Sequence, residues 1–314
     1  MSEHASSAPI LVIRHGALGD FILSTGPMKA IRAAHPAARI VLLTTEPYAA
    51  FARATGWFDE VWVDERAPWK QLHKIMALAE KLRSLSFARV YDLQTSTRSS
   101  AYWWAFLGRT PAWSGIAALA SHRHANPERT RMHTLDRQRE QLGIAGITEV
   151  PEPDVSWLTG DISAFSLPSS YTLLVPGCSP HRLMKRWPKK HFSDFAGWLI
   201  NQNITPVLIG TKHERDLLDA IAAACPKAIN LCDRTSLGQI AELARHATGA
   251  VGVDTGPMHI IAETGCKTLL LFSEASDPAK CGPRGPHVRV LRRDDLATLT
   301  PEEVAEAAKT HLFS

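Results

Sequence analysis

No stretch of the 314-residue chain approaches the roughly 18 consecutive apolar residues of a membrane-crossing helix, so no segment is expected to span a bilayer. Residues 1–8 are small and polar, without the apolar run of a secretory signal, and none is expected there. Cysteine is sparse: Cys178, Cys225, Cys232, Cys266 and Cys281 form no CxxC pair and leave an odd one over. That argues against a disulfide scaffold or a zinc cluster and for reduced thiols in a cytoplasmic protein. Neither G-x-G-x-x-G nor a Walker A sequence occurs, which excludes the usual dinucleotide and P-loop fingerprints and makes a nicotinamide enzyme a poor fit. A large charge excess is also missing. Lys and Arg number 35 against 31 Asp and Glu, a formal +4, too mild to imply a nucleic-acid partner.

What the chain does have is alternation. Its length suits two α/β domains, and 45% hydrophobic with 21% charged residues is ordinary for a globular protein. Ile10–Arg14 reads as a buried strand running into the Gly16–Gly19 turn and a helix from about Phe21 to His35. Strands at Arg39–Thr44, Glu60–Val63 and Arg89–Leu93 follow, with helices at Pro47–Thr55 and Lys70–Leu85 between them, the pattern of a doubly wound parallel sheet. In such sheets the polar residues after each strand face the ligand crevice. Asp20 is therefore a helix cap or a carboxylate placed to take a proton, and Gln94 and Arg98 are expected near it. Residues 101–140 are less regular: an aromatic patch (Tyr102, Trp103, Trp104, Phe106), then the most basic stretch of the chain, with Arg109, Arg123, Arg129 and Arg131. A basic, aromatic-flanked loop suits an anionic partner, including one at a membrane surface, or a solvated face over core tryptophans.

Pro151, Pro153, Gly160 and Pro168 break the pattern and mark a boundary. The expected organisation is an N-terminal Rossmann-like domain (1–155), a linker (156–170), a second Rossmann-like domain (171–300) and a closing helix (301–314). The second half restarts with the strand Tyr171–Val175 and the loop Pro176–Pro180. Ser179 there offers a hydroxyl, and Lys185 brings charge suited to a diphosphate. The run Ala250–His259 is the strongest corner. An apolar strand ends at Asp254, Thr255 and Gly256 turn the chain, Pro257 fits a first helical turn, and Met258 and His259 lie inside it. Unpaired N–H groups and the helix dipole at such an end attract phosphate, although an ordinary strand–turn–helix corner would read alike.

Taken together, Gly19-Asp20, Asp92-Leu93-Gln94 with Arg98, Lys185-Arg186-Trp187-Pro188, Thr235-Ser236-Leu237, Asp254–His259, and Asp277-Pro278 with Gly282-Pro283 resemble glycosyltransferase family 9, the lipopolysaccharide heptosyltransferases. The resemblance covers nearly the whole chain. It implies the α/β GT-B fold, two Rossmann-like doubly wound parallel-sheet domains facing across a cleft. It also implies an inverting, metal-independent transfer with no cofactor, from a nucleotide-sugar donor, ADP-heptose in type, to an anionic glycolipid acceptor, the lipopolysaccharide core. Work at the cytoplasmic face of the inner membrane would follow. Carried over by position, Asp20 would be the general base. Lys185 would neutralise the leaving diphosphate, and Thr255, Gly256, Pro257 and Met258 would wrap it, with Ser179 and His259 nearby. Asp254 would fix that turn or hold sugar hydroxyls. Gln94, Arg98 and some of Arg123, Arg129 and Arg131, Arg123 foremost, would contact the acceptor. The sequence departs from the family pattern at His15-Gly16-Ala17-Leu18 and at Cys178-Ser179-Pro180-His181, and Glu214 stands where an acidic ribose contact is expected. A non-catalytic GT-B-like binding protein and a GT-B-fold epimerase are the alternatives, and an essential Asp20 would separate turnover from mere binding.

Overall fold

The computed structural model describes residues 8–313. Residues 1–7, where the signal-segment expectation falls, lie outside the described residues. The chain divides into two compact units, Met1–Asp154 and Val155–Ser314.

The first unit is built on six strands: β1 (Ile10–Ile13), β2 (Ile40–Thr44), β3 (Glu60–Val63), β4 (Arg89–Asp92), β5 (Ala112–Gly115) and β6 (His122–Arg123). All pair in parallel, in the order β3-β2-β1-β4-β5-β6. β1 and β2 read as unbroken apolar runs because helices cover both faces of a parallel sheet, and every residue of both is buried. The stretch expected to be irregular contributes β5, the two-residue β6 and the helix Thr134–Ile144. β5 escapes a periodicity reading because Ala-Trp-Ser-Gly lacks alternation and β-branched residues.

The second unit repeats the plan with β7 (Tyr171–Val175), β8 (Thr205–Leu208), β9 (Ile229–Asn230), β10 (Gly249–Val253), β11 (Thr268–Phe272) and β12 (Val288–Arg292). Its order is β12-β11-β10-β7-β8-β9, again fully parallel. Counted from its own first strand this is the same 3-2-1-4-5-6 winding as in the first unit. Each sheet therefore reverses direction once, between β1 and β4 and between β7 and β10. At that reversal the loops diverge to opposite faces and leave a crevice. Gly252 in the middle of β10 lets the helix Gly256–Glu263 lie close: a methyl there would meet Met258 Sδ at 2.6 Å.

Residues 156–170, expected as a linker, pack against the second unit. Arg245 donates to the carbonyls of Leu158 (2.9 Å) and Val155 (3.0 Å), and Gly160 lies against the backbone of Gly238 and Gln239. The closing helix, Pro301–His311, is capped by Thr300 and Glu303 and buries Val304 and Ala308 in the same core.

Candidate active site

In the second unit the loops leaving β7 and β10 meet at the reversal point. Trp187 anchors the first loop: it is buried, donates to the Leu299 carbonyl at 2.8 Å, and packs edge-on against Phe192. That fixes the short 3-10 turn ending at Lys185, whose ammonium pairs with the Asp254 carboxylate at the end of β10. Both side chains are largely buried, at 15% and 7% exposure. His259 Nε2 lies 3.9 Å from the other oxygen of Asp254, and its buried Nδ1 has no partner. The Ser276 hydroxyl stands beside the same carboxylate without a hydrogen bond of ordinary geometry. Burial alone would raise the Asp254 pKa. The His259 and Lys185 contacts outweigh it and hold the group well below the usual carboxylate range.

Thr255 occupies the cap position of the helix Gly256–Glu263 in extended backbone, and its hydroxyl does not cap the helix. Pro257 supplies no N–H and that of Met258 donates to the Thr255 carbonyl at 3.1 Å, while no described group accepts from the Gly256 N–H. Met258 is fully buried under the turn, so its side chain does not face a ligand. Ser179 is exposed, and no described group hydrogen-bonds its hydroxyl or that of Thr255. Glu214 closes the far side. One of its oxygens accepts from Thr211 N and Oγ1 at 2.7 and 2.6 Å, while its carboxyl lies so close to Gly177 that a methyl there would meet it at 2.5 Å. An acid after the second strand of a Rossmann half is placed to hold a ribose.

In the first unit the reversal point is fastened differently. Gln94 Oε1 accepts from His15 N at 2.9 Å, tying the loop after β4 to the loop after β1. Asp20 lies in the first turn of the helix Leu18–Leu23 with 38% of its side chain exposed. Arg14 Nη2 is 3.5 Å from it, and Arg14 Nη1 donates to the Leu93 carbonyl at 2.8 Å. Burial pushes the Arg14 pKa down, an effect Asp20 partly offsets. Gly16, at φ +125°, has the Tyr48 ring where a side chain would stand. Burial and the Asp20 charge both push the Tyr48 phenol up.

Arg98 does not join Asp20. Its Nε donates to Tyr102 (3.0 Å) and sits 3.4 Å from Asp64, its Nη1 binds the Ala67 carbonyl (2.9 Å), and the loop after β3 is held by it. Arg123 is exposed on β6, and no described group hydrogen-bonds its side chain. The arginine that turns inward from the basic stretch is Arg129, bonded to Thr95 Oγ1 at 2.5 Å and to His124 at 3.1 Å. Asp64 and His15, 3.5 Å apart and both buried, were not singled out from the sequence. The rule that polar residues ending parallel strands face the crevice would have found both. Burial pushes the His15 imidazole down to about 4 despite that carboxylate.

Among the described residues no group of three or more His, Cys, Asp or Glu side chains is arranged to hold a metal ion, and no helix is long and apolar enough to cross a membrane.

Two parallel Rossmann-like sheets, each with its loops gathered at a reversal point, define an α/β protein of the GT-B class. The solved Escherichia coli ADP-heptose lps heptosyltransferase II shares the fold with a TM-score of 0.80 at 21% identity, covering 97% of this chain and 98% of that one. Residues 75–308 match glycosyltransferase family 9 (heptosyltransferase), and the chain belongs to that family. It is similar to lipopolysaccharide heptosyltransferase 1 of Pseudomonas aeruginosa, 24% identical across 88% of this chain and 81% of the relative. It is also similar to lipooligosaccharide heptosyltransferase 2 of Haemophilus influenzae, 28% identical over 34% of this chain and about a third (32%) of the relative's length.

Proposed function

We propose that the protein is an inverting, metal-independent heptosyltransferase that moves the sugar of ADP-heptose to a lipopolysaccharide-core acceptor at the cytoplasmic face of the inner membrane. The observation that carries the reading is the Lys185–Asp254 pair beside the open N-terminus of the helix Gly256–Glu263. An ammonium has three donors, so Lys185 can keep Asp254 and still bind a diphosphate oxygen. The helix end and the hydroxyls of Ser179 and Thr255 supply the remaining donors. This is charge stabilisation placed where the leaving group develops charge, the task a cation performs in other transferases. Glu214 would hold the ribose.

In the reaction the acceptor hydroxyl oxygen forms a bond to the anomeric carbon as the bond from that carbon to the diphosphate oxygen breaks. The acceptor proton passes to the Asp20 carboxylate, and ADP leaves with its charge held at Lys185. Asp20 is exposed enough to meet a hydroxyl and is held by one loose ion pair, which suits a base that must receive a proton. Arg129, which turns inward beside Thr95, is better placed than the outward Arg123 to balance acceptor charge. The test is transfer from ADP-heptose to a de-acylated, Kdo-bearing core acceptor, followed by mass spectrometry. Product formed in excess EDTA, of inverted anomeric configuration by NMR, and formed far more slowly by Asp20→Asn, is expected. Absence of product with wild type would overturn the reading.

A further inference from the structure

One apolar groove of the first unit takes no part in the chemistry above. It is a cavity of about 640 Å³ between the helix Leu72–Arg83 and the turn Tyr102–Phe106. The helix is apolar at 72, 75, 76, 79 and 82, yet Leu82 alone of its residues is buried. Leu72 and Met76 are 66% and 61% exposed, and Trp69 and Trp104 at the rim are 60% and 58% exposed. An apolar face at helical spacing, left open on a folded unit, marks an interaction surface.

Charge and position identify what covers it. Lys74, Lys81, Arg83 and Arg98 line the groove against Asp64 and Glu65. Lys74 pairs with Glu65 at 2.7 Å and Arg98 lies 3.4 Å from Asp64, so the exposed Lys81 and Arg83 are the cations in excess. The surface thus has an apolar floor, indole rims and net positive charge, the combination that settles at the headgroup layer of an anionic bilayer. Val63, Asp64 and Glu65 also wall the pocket lined by His15 and Tyr48. A lipid-borne acceptor with its polar head in that pocket would leave its apolar part toward the groove.

We propose that this face docks on an anionic lipid bilayer, with Trp69, Leu72, Met76 and Trp104 in the headgroup layer and an acyl chain of a bilayer lipid in the groove. The proposal rests on the reading of a membrane-borne acceptor. Its test is flotation with phosphatidylcholine vesicles that contain or lack phosphatidylglycerol, on wild type and on Met76→Glu/Trp104→Glu. Wild type should float with the anionic vesicles and weaken in high salt, and the double variant should bind about tenfold less. Leu72→Ser, a change at a side chain mostly in solvent, should shift binding in the same direction without disturbing the fold. Wild type that stays with the bottom fraction, or variants that float as wild type does, would overturn the proposal. ADP titration of the same preparations keeps the two readings apart. Vesicle binding lost with ADP binding intact supports this surface, whereas failure of wild type to bind ADP contradicts the transferase reading alone.

Discussion

The two reversal points share one strand order and hold opposite chemistry. At the first, the polar side chains are spent on the protein itself: Gln94 on the His15 amide, Arg98 on the Ala67 carbonyl, Arg14 on the Leu93 carbonyl. Beside them Asp20 keeps a half-exposed carboxylate. At the second, hydroxyls and a helix N-terminus are left open beside a single tight ion pair. Topology therefore fixes where each site lies, and loop chemistry decides what it does. A rigid frame around a half-exposed carboxylate suits proton transfer, and a nest of unspent donors suits an anion.

The strongest way to break this contrast is to empty the second site of its cation. Lys185→Ala strands Asp254, and unfolding should show a loss of about 3–5 kcal/mol at neutral pH. Adding Asp254→Asn should restore most of that stability and none of the ADP affinity. Because the Asp254 pKa is depressed in the folded state, its share of wild-type stability is present at neutral pH and falls away as pH drops below the ordinary carboxylate range. Next comes Asp20→Asn, expected to lower kcat by about 10²–10⁴-fold with ADP affinity unchanged.

A smaller effect separates the two carboxylates at the first site. Burial raises the Asp92 pKa to about 6, outweighing hydrogen bonds from Thr95, Ser99 and Gln94. Between roughly pH 4 and 6 the folded chain thus holds this proton and the unfolded chain does not, so Asp92 costs stability as pH rises. Asp92→Asn, unable to ionise, should gain on wild type across that window by up to about 2–3 kcal/mol, read from urea midpoints at each pH. His15 works in the reverse sense, losing stability as pH falls from its ordinary value toward 4, and comparison of the pair at equal pH cancels it. The smallest change is Gln94→Ala, which leaves His15 N without its acceptor and should cost about 1–2 kcal/mol in thermal unfolding.

Much of this was legible in the chain. Buried parallel strands are continuous apolar runs, so β1, β2, β7, β10 and β11 announce themselves, and the Asp254–His259 corner carries its own helix-start residues. The half-buried edge strand β12, Val-Arg-Val-Leu-Arg, was missed because edge alternation with arginine resembles a solvated loop. Side-chain direction was harder still. Arg98, Arg123 and Arg129 have equal standing in a sequence, and only packing shows that Arg98 braces a loop, Arg123 meets solvent and Arg129 turns inward. The place of Asp64 at the end of β3 is legible, but its pairing with Tyr102 and His15 is not, since both are tens of residues away.

The central claim is that diphosphate binding belongs to Lys185 and its corner while Asp20 serves the chemical step. Calorimetric titration of ADP into wild type, Asp20→Asn and Lys185→Ala/Asp254→Asn tests it most directly. The account predicts equal dissociation constants for the first two and binding at least about tenfold weaker in the third. Weakened ADP binding in Asp20→Asn, or wild-type affinity in the Lys185 variant, would contradict it.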